Sequence, residues 1–284
     1  MASLGTATSL GFVVGPGFGG MLALRGLHFS SRYWCFMLDS FSIPFLVAAA
    51  MALLALFAAM RWLPESQTAH VPKVTTQETD WRSLALRLAP LLGMALVAQF
   101  ALAIFESTFA LYSQAKLDYG PAEVGAVFIV CGLVMTVFQI GAISFLAGRI
   151  REISQIAAGF GLIGTSLALL VVSHTKVSVF AVVGLIAFGT SVISPNLAAL
   201  ISKRGGTRHV GTALGTQSAA NSLGQTAGPI IGGALFAWQM NAPYLLTAAL
   251  LVAVALTIAW KIRDGRALPA LSEHAGAGNP NAAI

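Results

Sequence analysis

Two stretches of the chain share one pattern: SLGFVVGPGFGG at residues 9–20 and SLGQTAGPIIGG at residues 222–233. Both have the form Ser-Leu-Gly-x3-Gly-Pro-x2-Gly-Gly, and each lies inside a long apolar run. An apolar run of that length predicts a helix that spans a membrane. Because the pattern recurs on two such helices, we expect a protein built from repeated helical bundles, which is typical of secondary transporters.

The composition indicates a multi-spanning membrane protein. Of the 284 residues, 57% are hydrophobic and 9% are charged, whereas an average soluble domain has about 25% charged residues. The net charge is +6, but the basic residues are scattered through connecting segments, which argues against a nucleic-acid partner. We find no phosphate-binding loop, nucleophile arrangement or metal-ligand spacing, and therefore expect neither an enzyme nor a cofactor.

Apolar stretches of about 20 residues predict where the chain crosses the bilayer. The last long stretch, residues 211–260, is about twice too long for one helix. Its Gln-Met-Asn-Ala-Pro segment at residues 239–243 predicts a turn between two helices. Eight spans result, at residues 1–24, 40–60, 88–115, 124–148, 153–173, 177–202 and 211–236, with the eighth following the turn.

The distribution of lysine and arginine predicts the orientation. With both termini in the cytoplasm, 12 of the 16 basic residues lie on the inner side and 4 on the outer side. Cytoplasmic segments of membrane proteins are enriched in these residues. We therefore expect a multi-pass protein of the cell membrane with cytoplasmic ends.

The repeat also predicts the domain organisation. The two copies lie on the first and seventh spans, six helices apart, as in a protein with two six-helix bundles. Residues 1–62 would be the last two helices of the N-terminal bundle, 63–87 a cytoplasmic linker, 88–263 a complete C-terminal bundle and 264–284 a cytoplasmic tail. We expect four further helices, either preceding this chain or supplied by a second chain.

At these motifs the chain resembles the major facilitator superfamily, and within it the drug:proton antiporters related to tetracycline and multidrug exporters. Their fifth helix has Gly-x8-Gly-x3-Gly-Pro-x2-Gly-Gly, the antiporter motif; its leading glycine would fall at Ala2 here. The resemblance implies an all-α membrane fold in which the eight spans correspond to helices five to twelve of a twelve-helix transporter. The matching residues are Gly11, Gly15, Pro16, Gly19 and Gly20 in the first copy, and Gly215, Gly224, Gly228, Pro229, Gly232 and Gly233 in the second.

The motif has a physical meaning of its own. Glycines that recur every four residues form a groove along one helix face, which allows another helix to approach closely. The proline in each copy removes one backbone hydrogen bond and bends the helix. A bent, closely packed helix at a bundle interface can open or seal a path as the bundles rock.

Glu106 is the acidic residue that lies well inside a predicted span. A charge in hydrocarbon costs several kcal/mol and usually marks a functional site. Removal from water favours the protonated form of a carboxyl group, so Glu106 could exchange protons or pair with a cationic substrate. A structural hydrogen-bonding role is the alternative. Helical spacing puts Gln99 on the same face as Glu106.

Amide side chains inside the spans are further candidates for substrate or proton contacts. Gln217 and Asn221 share a helix face at a spacing of four residues, while Gln139 and Asn196 lie on other spans. The alternative for each is hydrogen bonding between helices. The resemblance implies that helices seven and ten line the central cavity, and these carry Gln99, Glu106 and Asn196.

The expected function is proton-coupled efflux of small hydrophobic or cationic compounds, as in multidrug resistance. The expected partners are a small-molecule substrate, protons, the lipid bilayer and the missing helices. A metabolite symporter or uniporter of the same fold is the alternative. A third possibility is a truncated fragment that does not transport, because two helices of one bundle should not cycle between inward and outward states alone.

Overall fold

A computed structural model describes residues 31–33, 36–38, 43–62, 81–146 and 150–264. The first predicted span, most of the linker and the tail lie outside these residues. The described elements are β1 (Ser31–Tyr33), β2 (Phe36–Leu38), α1 (Ile43–Trp62), α2 (Trp81–Leu117), α3 (Pro121–Leu146), α4 (Glu152–Val172), α5 (Lys176–Trp238) and α6 (Ala242–Arg263).

The membrane-spanning part of the described chain is helical, which confirms the predicted fold class. Six of its helices are long and apolar enough to cross a bilayer. The strands form one small antiparallel hairpin, with Ser31 opposite Leu38, in the connection between the first two predicted spans. Such a hairpin is too short to change the class of the fold.

The predicted sixth and seventh spans are joined without a loop. They form the single element α5, whose helical geometry is interrupted at Gly206, with φ 63° and ψ 169°. This left-handed conformation suits glycine, because a Cβ atom there would be strained. We call residues 176–205 the first arm of α5 and residues 207–238 the second arm. The turn predicted at residues 239–243 is present, because α5 ends at Trp238 and α6 begins at Ala242.

Helix α2 begins earlier than its apolar run. It starts at Trp81, so residues 81–87, which we assigned to the linker, are helical. Apolar-run length measures only the part inside the hydrocarbon, whereas leucine, alanine and arginine continue a helix beyond the membrane surface. At 37 residues, α2 is roughly 55 Å long, well beyond the roughly 30 Å of the hydrocarbon core.

Close helix contacts hold five helices together as one bundle. Helix α4 packs on the first arm of α5, where Gly159 and Gly189 each face the backbone of the other helix. Its opposite side receives α6 at Gly164. Helix α3 meets the first arm through Phe138 and Phe188, whose rings are 4.5 Å apart. By contrast, α1 exposes nearly all of its described side chains.

Candidate functional site

Glu106 is half-buried in the C-terminal half of α2. Its neighbour on α3 is Cys131, which is close enough for the two groups to interact electrostatically. Ser107 and Ala110 beside it are exposed, so Glu106 lies at the margin of an open face of α2. Among the described residues, none donates a hydrogen bond to the Glu106 carboxylate or pairs with it as a cation.

Three phenylalanines form an aromatic cluster beside Glu106. Phe105 and Phe109 of α2 are 5.1 Å apart between ring centroids. Phe128 of α3 lies 6.3 Å from Phe105 and meets Phe109 edge to face at 5.9 Å. Such pairs add roughly 0.5–1.5 kcal/mol to the burial of the rings. The cluster therefore fixes α2 against α3 next to the carboxylate.

The glycine stripe of the second motif copy lies against α2. A Cβ atom added to Gly224 would lie 2.5 Å from the Leu96 carbonyl oxygen, and one on Gly228 would lie 2.6 Å from the Ala103 Cβ. Gly232 faces Ile104 in the same way, at 3.3 Å. Along this stripe the residue numbers of α2 and of the second arm of α5 increase in the same direction. The two helices therefore run parallel, in direct backbone contact.

The other motif residues have different environments. Gly215 and Gly233 have open space where a Cβ atom would lie, and Pro229 is exposed on the side of the helix away from α2. In the second copy, the glycine stripe therefore contacts α2, whereas Gly215, Pro229 and Gly233 do not. The first copy (Gly11, Gly15, Pro16, Gly19 and Gly20) lies outside the described residues.

The candidate amides do not converge on one site. Gln99 is half-buried, with its Cβ 3.3 Å from the Cβ position of Gly224. On the second arm of α5, Gln217 is buried and Asn221 is half-buried. Within the part of the chain that the structure describes, no hydrogen bond joins any of these amides to Glu106. The Gln139 side chain lies outside the described residues.

Asn196 takes part in a helix–helix hydrogen bond. Its Nδ2 donates to Gln155 Oε1 at 3.0 Å and to the Val192 carbonyl at 2.7 Å. Gln155 in turn donates from Nε2 to the Ile150 carbonyl at 2.9 Å. The amide of Asn196 thus joins the first arm of α5 to α4. Gln155 was missed because a glutamine in the first turn of a span is not distinguished in sequence from an interfacial polar residue.

A buried hydroxyl network near the C-terminal end of α2 was also missed. Thr108 Oγ1 lies 3.0 Å from the Tyr244 hydroxyl of α6. One turn further out, Tyr112 is bonded to the Leu170 carbonyl at 3.3 Å and to Lys116 Nζ at 2.8 Å. Both tyrosines are fully buried. In sequence these residues belong to separate apolar runs, so no spacing rule relates them.

The end of the bundle beyond this network, where α2 ends and α3 begins, is charged. Lys176 Nζ lies 3.3 Å from Glu123 Oε1 and 5.7 Å from the ring centroid of Tyr119. Burial raises the pKa of the Tyr119 hydroxyl above its usual value, while the nearby Lys176 charge lowers it in part. Pro121 at the first position of α3 and the Glu123 carboxylate, which accepts from the Gly120 N–H at 3.1 Å, start that helix.

A family model described as Major Facilitator Superfamily matches residues 1–217 and, in a second match, residues 156–281. Multidrug resistance protein 1 of Bacillus subtilis is 31% identical over 264 residues, covering 91% of this chain and 63% of the relative. Multidrug resistance protein 2 of the same organism is 27% identical over 271 residues, covering 92% and 64%.

Quinolone resistance protein NorA of Staphylococcus aureus is 28% identical over 236 residues, covering 82% of this chain and 57% of the relative. The chain therefore spans a little under two thirds of the length of these relatives.

Proposed function

Because this chain belongs to the Major Facilitator Superfamily, we propose that it is the eight-helix part of a proton-coupled exporter of small hydrophobic or cationic compounds. The observation that carries the proposal is the half-buried Glu106 carboxylate, which has no partner among the described residues and lies beside three phenylalanines. The names of the relatives, multidrug and quinolone resistance proteins, support the same class of substrate.

The surroundings of Glu106 suit both a proton and an organic cation. A carboxylate without a partner in hydrocarbon is costly, and protonation or pairing with a cation removes that cost. The aromatic side chains nearby provide apolar contact for the body of a drug-like molecule. A proton and a substrate that compete for one carboxylate give antiport, because binding of one favours release of the other.

Movement between inward- and outward-facing states would use the glycine-rich helices. The stripe at Gly224, Gly228 and Gly232 keeps the second arm of α5 in contact with α2, so the two helices would move as a unit. The first motif copy would play the equivalent part in the N-terminal bundle. Both bundles are needed for alternating access, and the proposal therefore includes four helices in addition to those of this chain.

The test of the carboxylate is Glu106→Gln in the twelve-helix protein. We expect proton-driven export to be lost, while membrane insertion is retained, because the amide keeps the shape of the side chain but does not ionise. Export is measured with a fluorescent organic cation in inverted vesicles under an imposed pH gradient. Asp118→Asn is the matched control, since it removes one acidic group from the exposed connection directly after α2.

Export by Glu106→Gln at the rate of the unchanged protein would overturn the role of Glu106. The same assay separates antiport from the alternative of a symporter or uniporter. An antiporter loads inverted vesicles that are acidic inside and stops when the gradient is collapsed. A uniporter equilibrates the substrate with or without the gradient.

A further inference from the structure

A buried hydrogen bond joins Thr108 to Tyr244. Thr108 Oγ1 lies 2.7 Å from the Ile104 carbonyl oxygen and 3.0 Å from the Tyr244 hydroxyl. Both side chains are buried, at 1% and 0% exposure, so no water replaces this bond. Tyr244 thereby ties α6 to one face of α2.

A second set of hydrogen bonds lies one turn closer to the C-terminal end of α2. Lys116 Nζ donates to the Tyr112 hydroxyl at 2.8 Å and to the Val171 carbonyl. Tyr112 consequently uses its own proton on the Leu170 carbonyl. These bonds join α2 to the last turn of α4, whereas the Tyr244 hydroxyl contacts Thr108. The rings of Tyr112 and Tyr244 are 4.7 Å apart, but their hydroxyl groups serve different helices.

Thr108 and Glu106 point to opposite sides of α2. Two residues on an α-helix are separated by roughly 200° around the axis. The side with Thr108 faces α6 and Gly232 of the second arm of α5, whose Cβ position is 3.4 Å from Thr108 Cγ2. Glu106 lies between the Phe105 side of α2, which meets α3, and the exposed side with Ser107 and Ala110. A rotation of α2 about its axis would therefore separate Thr108 from Tyr244 and displace the Glu106 carboxylate.

We propose that Tyr244 is a positioning residue for Glu106: its hydroxyl, bonded to Thr108, acts together with the helix packing to set the rotation of α2 and so the place of the carboxylate. The inference rests on the proposed function of Glu106 as the proton- or substrate-binding group. A side chain extends roughly 5–6 Å from the axis, so a rotation of roughly 20° displaces the carboxylate by about 2 Å. Displacements of about 1 Å are enough to impair positioned groups severely.

The groups that surround Glu106 make its titration a sensitive readout. Of the two titratable groups on the described part of α3, Glu123 is in the first turn and ion-paired with Lys176, while Cys131 is the one that interacts electrostatically with Glu106. The second arm of α5 presents Gly228 and Gly232 at this level of α2, and α6 contributes only the Tyr244 hydroxyl through Thr108. A change in rotation alters the distance to the thiol and the access of water, and both change the protonation of a carboxyl group.

The experiment is an infrared titration of the purified chain in lipid nanodiscs, in which the Glu106 band is identified by its loss in Glu106→Gln. Tyr244→Phe and Thr108→Val remove the same bond from its two ends while keeping the side chains close in size. We expect both to move the midpoint by at least about half a pH unit, in the same direction. Thr108→Ser, which keeps a hydroxyl, should restore the original midpoint.

Tyr112→Phe is the matched control. It removes a tyrosine hydroxyl of equal burial one turn away, but the bond from Lys116 to the Val171 carbonyl still joins α2 to α4, so we expect the midpoint to stay unchanged. An equal shift in Tyr112→Phe would overturn the proposal, because the effect would then be general loosening. An unchanged midpoint in Thr108→Val would overturn it too. The readout needs no transport, so failure of the exporter assignment and failure of this positioning role are distinguishable.

Discussion

At the scale of residues, the polar side chains of the bundle separate into two groups. Asn196, Gln155, Thr108, Tyr244 and Tyr112 are engaged in hydrogen bonds between or along helices. Glu106 has no such partner among the described residues. Intramembrane polar groups are retained either for packing or for function, and the presence of a partner is what distinguishes the two. Among the carboxylates on the described helices, Glu123 and Glu152 pair with lysines, so this distinction points to Glu106.

The amide pair of Asn196 and Gln155 gives a prediction about stability. Asn196→Leu leaves the buried Gln155 Oε1 without the Asn196 donor, which should destabilise the bundle by about 1 kcal/mol. Gln155→Leu should have a similar effect. The double variant should be less destabilised than the sum of the two, since neither end of the bond between Asn196 and Gln155 is then left without the other.

The measurement is thermal unfolding of the detergent-solubilised chain in a double-mutant cycle. Asn241→Leu provides a comparison at a position whose amide bonds to no described residue on another helix. Additive effects of Asn196→Leu and Gln155→Leu would contradict a direct interaction between the two amides.

At the scale of elements, glycine at four-residue spacing decides which face of α5 meets α2. The second arm of α5 contacts α2 with backbone atoms at Gly224 and Gly228. The two helices are so close there that no larger residue would fit. Gly206 decides the path of the same element, because its left-handed conformation redirects the chain between two helices in one residue. Both features are possible because glycine has no Cβ atom.

The two faces of the motif predict opposite effects of one substitution. Gly228→Ala would place a methyl group 2.6 Å from Ala103 Cβ, and we expect a loss of about 1–3 kcal/mol as the helices are forced apart. Gly233→Ala, five residues away, meets open space. It should be neutral or stabilising by up to about 1 kcal/mol through the higher helix propensity of alanine.

Thermal unfolding of the two variants under identical conditions measures the difference directly. Equal melting temperatures for Gly228→Ala and Gly233→Ala would show that α2 and the second arm of α5 are not in backbone contact in solution.

At the scale of the whole molecule, the described chain is one packed bundle and a helix that lacks neighbours. The bundle of α2 to α6 shares a buried core, whereas α1 exposes large apolar side chains such as Phe45, at 77%, and Phe57, at 66%. A helix that is apolar on all sides is normally surrounded by lipid or protein. This arrangement fits a chain that spans a little under two thirds of its relatives.

The orientation of the bundle is testable with two matched lysines. Lys176 and Lys203 lie at opposite ends of the first arm of α5, each beside a glutamate, with side chains 63% and 64% exposed. With Cys35 and Cys131 replaced by alanine, we expect Lys176→Cys to react with a membrane-impermeant maleimide from outside intact cells. Lys203→Cys should react only after the membrane is opened. The reverse pattern would contradict cytoplasmic termini, because it would invert the distribution of basic residues.

The sequence alone was sufficient for the class of fold, for the approximate bounds of the described spans and for placing Glu106 inside one of them. These depend on properties that are local along the chain: the length of apolar runs, the charge inside them and the four-residue period of glycine. A membrane imposes these properties on each helix separately, which is why they survive without knowledge of packing. The start of α2 at Trp81 was not predicted because it lies outside the hydrocarbon, where the length of an apolar run does not indicate where a helix begins.

The tertiary structure decided which helices meet and which polar groups are already engaged. Three contacts illustrate this: Gly228 with Ala103, Asn196 with Gln155, and Tyr244 with Thr108. The residues in these contacts lie 41 to 136 positions apart in the sequence. Each helix could rotate about its axis without changing its apolar length or its internal hydrogen bonds. Only packing against neighbouring helices fixes that rotation, and with it the direction in which Glu106 points.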